Sequence, residues 1–233
     1  MINEARILAL IPARGGSKRL KGKNLIDFCG KPLIAWTIEQ ALASKHIDDV
    51  VVSTDSRSII EVAKLFGANV PFQRPVKLAS DEATSVEVAL HALQALPNYD
   101  FFVLLQPTSP LRLTNDIDIC IELCQSSHVP TCVSVVDIPE EKSRIYFRDE
   151  NSGLMKKSQQ PENSKENANQ KKCMLNGAVY CCSTKWFTKE QTFVAFNSLY
   201  HIMPQERSVD IDINIDLQMA REIMAHRENL VIN

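Results

Sequence analysis

The apolar run Ile7-Leu8-Ala9-Leu10-Ile11-Pro12-Ala13 breaks off into Arg14-Gly15-Gly16-Ser17-Lys18-Arg19-Leu20-Lys21-Gly22-Lys23-Asn24, and this junction limits the folds open to the chain. A run that short, bounded by Arg6 and Arg14 and containing Pro12, cannot span a membrane and makes a poor secretory segment. It suits a buried parallel strand. The segment after it carries five cations and three glycines in eleven residues. Like charges so close repel, and glycine weakens regular structure, so the combination calls for an anion. Glycines let backbone N–H groups approach phosphate oxygens while Arg and Lys offset their charge. The plainer alternative is a solvated basic loop.

Neither of two familiar phosphate loops fits. A P-loop needs four residues between its first Gly and the Gly-Lys-Ser/Thr end; five lie between Gly16 and Gly22, and Asn24 stands where the metal-binding hydroxyl belongs. The dinucleotide fingerprint Gly-x-Gly-x-x-Gly fails because Gly15 and Gly16 are adjacent.

Farther on, apolar runs alternate with helical patterns: a helix over Pro32–Lys45, a strand at Val50–Thr54, a helix over Ser58–Phe66 and a strand at Phe101–Gln106. That order predicts βαβ units, a mostly parallel sheet and an α/β fold. Pro32 suits a first helical position and Gly67 the residue after a helix, while Thr84 and Glu87 form a capping box for a helix through Leu96. Asp55 follows a strand and suits helix capping better than ligand binding. After Thr131–Val136, residues Arg148–Lys172 are nearly all polar and cannot build a core, which predicts a mobile loop or an extension ordered on another subunit. Strands resume at Asn176–Cys182 and Val209–Ile213, followed by a helix over Asp216–His226. With 233 residues and 45% hydrophobic composition, a single domain over 1–233 with a smaller insertion is expected.

Charge narrows the partner. The net charge of −2, with cations concentrated in the first loop, predicts a small anion rather than nucleic acid, and no membrane role is indicated. Seven cysteines without metal-ligand spacing predict free thiols and a reducing, cytoplasmic setting. Cys120 with Cys124 and Cys181 with Cys182 are packing residues on this view.

In Val209-Asp210-Ile211-Asp212-Ile213 a strand would put both carboxylates on one face, ~6.6 Å apart at Cα, two residue rises. Hard oxygen ligands so spaced suit Mg²⁺, with Mn²⁺ able to substitute, the remaining positions being filled by water and substrate phosphate. The alternative is an edge strand with polar outer positions. Asp216 is a first-turn helix acid. Leu104-Leu105-Gln106-Pro107-Thr108-Ser109-Pro110-Leu111-Arg112 ends a buried strand in short polar groups, at the sheet edge where open α/β folds bind ligands.

These segments resemble the acylneuraminate cytidylyltransferases, also called CMP-sialic acid synthetases, over nearly the whole chain. The signature Arg-x-x-Ser-Lys-x-x-x-x-Lys-Asn is matched by Arg14, Ser17, Lys18, Lys23 and Asn24. The resemblance implies a three-layer Rossmann-like nucleotidyltransferase fold with a mostly parallel, mixed sheet and a protruding dimerisation arm at about 138–175. It implies a homodimer that couples CTP to a nine-carbon keto sugar acid. Arg14, Gly15, Gly16, Ser17, Lys23 and Asn24 would hold the nucleotide, with Arg74 and Ser85 reading cytosine. Gln106, Thr108, Ser109, Asn176 and Tyr180 would face the sugar, and Asp210 and Asp212 would bind the metal. Arg14, Lys18, Lys23 and Asp212 would carry catalysis, while Lys142, Lys156 and Lys157 are arm candidates for the neighbouring sugar pocket. Relatives usually carry Gln, Pro and Tyr before Asn176, where this chain has Asn167, Gln170 and Cys173. The sugar therefore stays open among N-acetylneuraminate, legionaminate and pseudaminate. Three alternatives remain: a cytidylyltransferase for the eight-carbon acid Kdo, a nucleotide-sugar glycosyltransferase using Asp-x-Asp, and a non-catalytic nucleotide-binding protein.

Overall fold

The computed structural model describes residues 5–138, 146–148, 155–157 and 171–231. In chain order the first half contains β1 (Ile7–Pro12), β2 (Asp27–Phe28), β3 (Lys31–Pro32), α1 (Leu33–Leu42), β4 (Asp49–Ser53), α2 (Arg57–Leu65), α3 (Ser85–Ala95) and β5 (Phe101–Leu104). The second half contains α4 (Thr114–Ser126), β6 (Thr131–Asp137), β7 (Tyr146–Arg148), β8 (Met155–Lys157), β9 (Cys173–Ser183), α5 (Thr184–Glu190), β10 (Leu199–Ile202) and α6 (Asn214–Val231).

Because strand side chains alternate in direction, β1 feeds two cores. Ile7, Ala9 and Ile11 pack with Ile34 and Ile38 of α1, Ile59 of α2 and Ile121 of α4, whereas Leu8 and Leu10 pack with Ala89 and Leu93 of α3 and Phe187 of α5. Helices thus cover both faces of the sheet, which explains why the run reads as continuously apolar. A third cluster joins the β2–β3 hairpin, Val209 and Ile211 to Leu217, Ala220 and Met224 of α6.

The six main strands run β10-β6-β9-β5-β1-β4. β1 pairs parallel with β4 and β5, and β10 pairs parallel with β6, while β9 runs antiparallel to both its neighbours. This is the mostly parallel, mixed sheet that was expected. Chain order reverses across β1, so a crevice opens beyond the carboxyl ends of β1, β4 and β5, the usual ligand position in such sheets.

Several expectations need correction. α1 starts at Leu33 with Pro32 as the residue before it, and ends at Leu42 rather than Lys45. Val209–Ile213 is not a strand. Its one backbone bond to the neighbouring turn, Ile211 N to Thr108 O at 2.8 Å, is too little for a ladder, and the last strand is β10, formed earlier in the chain. The capping box holds: Thr84 accepts from Glu87 N, and Glu87 accepts from Thr84 N. Gly67 follows α2 at φ +91°, a left-handed conformation that glycine adopts without strain.

Within the expected arm, β7 and β8 pair antiparallel. Lys142, Asn167, Gln170 and the side chains of Lys156 and Lys157 lie outside the described residues. Cys120, Cys124, Cys181 and Cys182 are buried packing residues without disulfides. Among the described residues no helix is long and apolar enough to cross a membrane.

Candidate active site

The cationic segment leaves β1 and folds back on itself. Asn24, buried in a short helical turn, donates from Nδ2 to Arg14 O at 3.0 Å and so closes the loop. Gly22 enters that turn in the left-handed region at φ +63°. Gly15 passes so close to the start of α2 that an added Cβ would lie 2.9 Å from Ser56 Cβ. Its N–H donates to Asp55 Oδ1 at 2.9 Å. Asp55 is therefore not the helix cap that was expected: Ser56 occupies the cap position of α2 without a side-chain bond, and the Asp55 carboxylate pins the glycine turn. Gly15 shapes this turn, and neither it nor Gly16 lines the crevice, whereas Ser17 and Asn24 face it.

That crevice is a cavity of about 550 Å³. The loop and the late acidic segment, distant in sequence, meet there: Lys23 Nζ lies 2.8 Å from Asp212 Oδ1, and Arg19 Nη1 lies 3.1 Å from Asp212 Oδ2. On the opposite wall Arg14 bonds Ser80 O at 2.7 Å and Asp81 Oδ1 at 2.8 Å, and Lys18 pairs with the other Asp81 oxygen. The expected repulsion among the loop cations is thus offset by two carboxylates. Lys23 holds the Asp212 carboxyl below the ordinary aspartate range, and Lys18, with Arg14, does the same for Asp81.

Asp210 behaves oppositely. It stands beside the cavity wall and retains contact with solvent, yet the protein around it withdraws enough water to push its pKa up. The like charge of Asp212 adds to that rise, while Thr108 and Lys23 oppose it. Asp216 Oδ2 accepts from Asp212 N and Ile213 N, both at 2.9 Å, and sits in the first turn of α6 as expected.

Arg74 is buried beneath the cavity. Its Nε donates to Ser53 Oγ at 3.1 Å, Nη2 donates to Ser53 O, and burial lowers its pKa to about 10. Ser85 opens α3 behind the Thr84 cap, and Gln106 and Thr108 leave β5 to complete the wall. Tyr180 borders a smaller recess of about 260 Å³ that shares Ser85 and Gln106 with the main cavity.

Two expected sugar contacts point elsewhere. Ser109 is fully buried, and its Oγ has no partner among the described residues. The Asn176 amide is taken up internally: Oδ1 accepts from Ser134 Oγ at 2.6 Å and Ala178 N at 3.2 Å, and Nδ2 donates to Ser208 Oγ at 3.0 Å. It supports an irregularity between β6 and β9, where Gly177 at φ +77° turns beside Gln106.

Two contributors were missed. Asp81 was signalled only by the loop's need for counter-charge. Arg112, fully buried, donates from Nη1 to Gln106 O at 3.1 Å and Ala178 O at 2.8 Å, tying the β5 turn to β9. Burial lowers its pKa to about 9. An arginine amid Pro110, Leu111 and Leu113 was the available signal.

The sequence matches the cytidylyltransferase family over residues 8–230. It is 36% identical over 230 residues to the N-acylneuraminate cytidylyltransferase of Escherichia coli, covering 98% of this chain and 54% of that protein. The chain thus spans about half the length of that relative. It is 34% identical to the CMP-N,N'-diacetyllegionaminic acid synthase of Legionella pneumophila, covering 97% of this chain and 100% of the relative. It is 33% identical to the pseudaminic acid cytidylyltransferase of Campylobacter jejuni, covering 92% and 94%. Among solved structures, a CMP:2-keto-3-deoxy-manno-octonic acid synthetase complexed with CTP shares the fold, with a TM-score of 0.74 at 18% identity over 96% of this chain and 100% of that one.

Proposed function

The chain belongs to the cytidylyltransferase family, and from that premise we propose that it couples CTP to the anomeric hydroxyl of a nonulosonic acid, giving the CMP-sugar and pyrophosphate. The observation that carries this is the contact of Lys23 with Asp212, which joins the cationic loop and the acidic segment in one cavity.

Attack by a sugar oxygen and departure of pyrophosphate both concentrate negative charge, so catalysis rests on alignment and electrostatic stabilisation. Arg14, Lys18 and Lys23 stabilise the phosphates. Ser17 and Asn24 hold the loop about the nucleotide, with Gly15 setting its turn and the Gly16 backbone following it. Arg74 and Ser85 read the cytosine edge, Arg74 with donors fixed by burial. A pocket that leaves such groups unpaired loses affinity for the wrong base. Gln106, Thr108 and Tyr180 face the sugar, with Asn176 and Ser109 supporting from behind.

Asp210 and Asp212 fit a divalent cation. They are hard oxygen donors, and the cost of ionising Asp210, raised by desolvation and by the like charge of Asp212, is one that a bound cation would offset. Two carboxylates are enough for Mg²⁺, which takes its other ligands from water and substrate phosphate. Mg²⁺, or Mn²⁺ in its place, would supply Lewis-acid stabilisation of phosphoryl oxygens when bound. We further propose a cytoplasmic homodimer in which the arm at about 138–175 reaches the neighbouring site.

The test is pyrophosphate release from CTP with N-acetylneuraminate, legionaminate, pseudaminate and Kdo, with and without Mg²⁺. Release with a nine-carbon acid supports the proposal. Release with Kdo alone reassigns the sugar, and no release with any acid overturns it.

A further inference from the structure

On the assignment of the cavity to CTP, on which this inference rests, we propose that Asp81 is a placeholder for phosphate, occupying Arg14 and Lys18 between turnovers and so favouring departure of pyrophosphate. Its two oxygens divide between the cations: Oδ1 takes Arg14 Nη2 at 2.8 Å and Oδ2 takes Lys18 Nζ. These are donors that a phosphate oxygen would use, because carboxylate and phosphate offer similar acceptor geometry to a guanidinium. Ser80 O meanwhile holds Arg14 Nη1 at 2.7 Å, so Arg14 stays aimed at the cavity whether Asp81 or a phosphate fills the other position.

Asp81 differs from Asp212, which also pairs with two cations. Asp212 is two residues from Asp210 and serves as a metal ligand in the proposed function, whereas Asp81 has no acidic neighbour in that role and pairs with the cations Arg14 and Lys18. It sits in the short segment between the helical turn Val76–Ala79 and α3, four residues before Ser85. A ligand that brings β- and γ-phosphates to Arg14 and Lys18 must exchange one set of ion pairs for another. When pyrophosphate leaves, the Asp81 carboxylate restores the pairs, so the cations are never left without counter-charge. Asp81 therefore acts through Arg14 and Lys18 as a positioning residue, and it opposes ligands in proportion to the phosphate they place on those cations.

Removing this charged side chain from the site should therefore tighten binding. Titration calorimetry with inorganic pyrophosphate and with CMP would compare the full chain with Asp81→Asn and Asp81→Ala. Pyrophosphate should bind both variants roughly three- to tenfold more tightly, the scale set by releasing two exposed ion pairs. CMP, which lacks the β- and γ-phosphates, should change less than about twofold on the same scale. Inhibition by pyrophosphate should strengthen in parallel, a change that loss of structure would not produce. Weaker or unchanged pyrophosphate binding would overturn the placeholder role and make Asp81 a residue that merely orients the cations. Equal tightening for both ligands would also overturn it, in favour of a general field. If the unaltered chain turns over CTP while either of these results is found, the placeholder fails alone; if it neither binds CTP nor releases pyrophosphate, both assignments fall.

Discussion

Lys23 and Arg19 contact the same carboxylate, but their surroundings predict very different roles. Lys23 is 15% exposed and Arg19 72% exposed, at 2.8 Å and 3.1 Å from Asp212. A unit charge about 4 Å from a developing phosphate charge is worth ~4 kcal/mol at the effective dielectric near a protein surface but only ~1 kcal/mol in bulk water. Exposed pairs also lose energy to side-chain entropy and salt, which puts Arg19 at or below the lower figure. Lys23→Ala should therefore reduce kcat by about 10²–10³, matching the ~2.7–4 kcal/mol typical of one lost electrostatic donor. Arg19→Ala should cost at most about fivefold. Both variants should fold, because each leaves Asp212 one cationic partner. A continuous pyrophosphate-release assay at saturating CTP, Mg²⁺ and the preferred sugar acid would measure kcat, with circular dichroism melts as the check on folding. Equal losses in the two variants, or a loss below about tenfold for Lys23→Ala, would refute the claim that burial sets the catalytic weight of these cations.

Other substitutions probe the remaining walls. The raised pKa of Asp210 means that its ionised form destabilises the fold, a penalty present at neutral pH and relieved as pH falls through the folded-state value. Asp210→Asn should thus melt at pH 7 no lower than the parent while turnover falls; a clear drop in Tm would contradict this. Asp212, lowered chiefly by Lys23, contributes stability above its unfolded pKa that is lost as pH falls through the folded one. Asp212→Asn should accordingly melt slightly lower at pH 7, by under ~1 kcal/mol given its exposure. Gly15→Ala meets Ser56 at 2.9 Å and should destabilise by about 1–3 kcal/mol and raise the KM for CTP. Gly16→Ala, with nothing within 4 Å, should change neither, as melts and initial rates would show. Thr84→Ala removes a two-sided cap and should cost about 0.5–2 kcal/mol, or about 1–8 °C in Tm. An unchanged Tm would show that α3 is held by packing instead.

Local chemistry made much of the fold legible. An unbroken apolar run predicted a strand buried on both faces, and β1 divides its side chains between two cores. The Thr84–Glu87 box needs only residues three apart, so it could be read directly. The Val209–Ile213 strand failed for a related reason. Its alternation does bury Val209 and Ile211, but a strand also requires a partner ladder, and pairing is non-local. Asn176 and Ser109 were placed on the sugar by resemblance, although an amide or hydroxyl can as well satisfy its own scaffold, and these two point inward.

By itself the chain determined the main alternation of strands and helices from β1 to β5, that its first loop must answer for five cations, and that two late aspartates form a separate acidic group. Those are consequences of periodicity, propensity and formal charge, all readable over a few residues. Only tertiary structure decided how the charges are shared. Asp212 pairs with Lys23 and Arg19, and Asp81 with Arg14 and Lys18, because the β1 loop, the segment before α3 and the turn after β5 open on one crevice. Coulomb energy depends on distance and burial rather than on position along the chain, so the two carboxylates that define this site acquired their roles only when the sheet brought them within reach of the same loop.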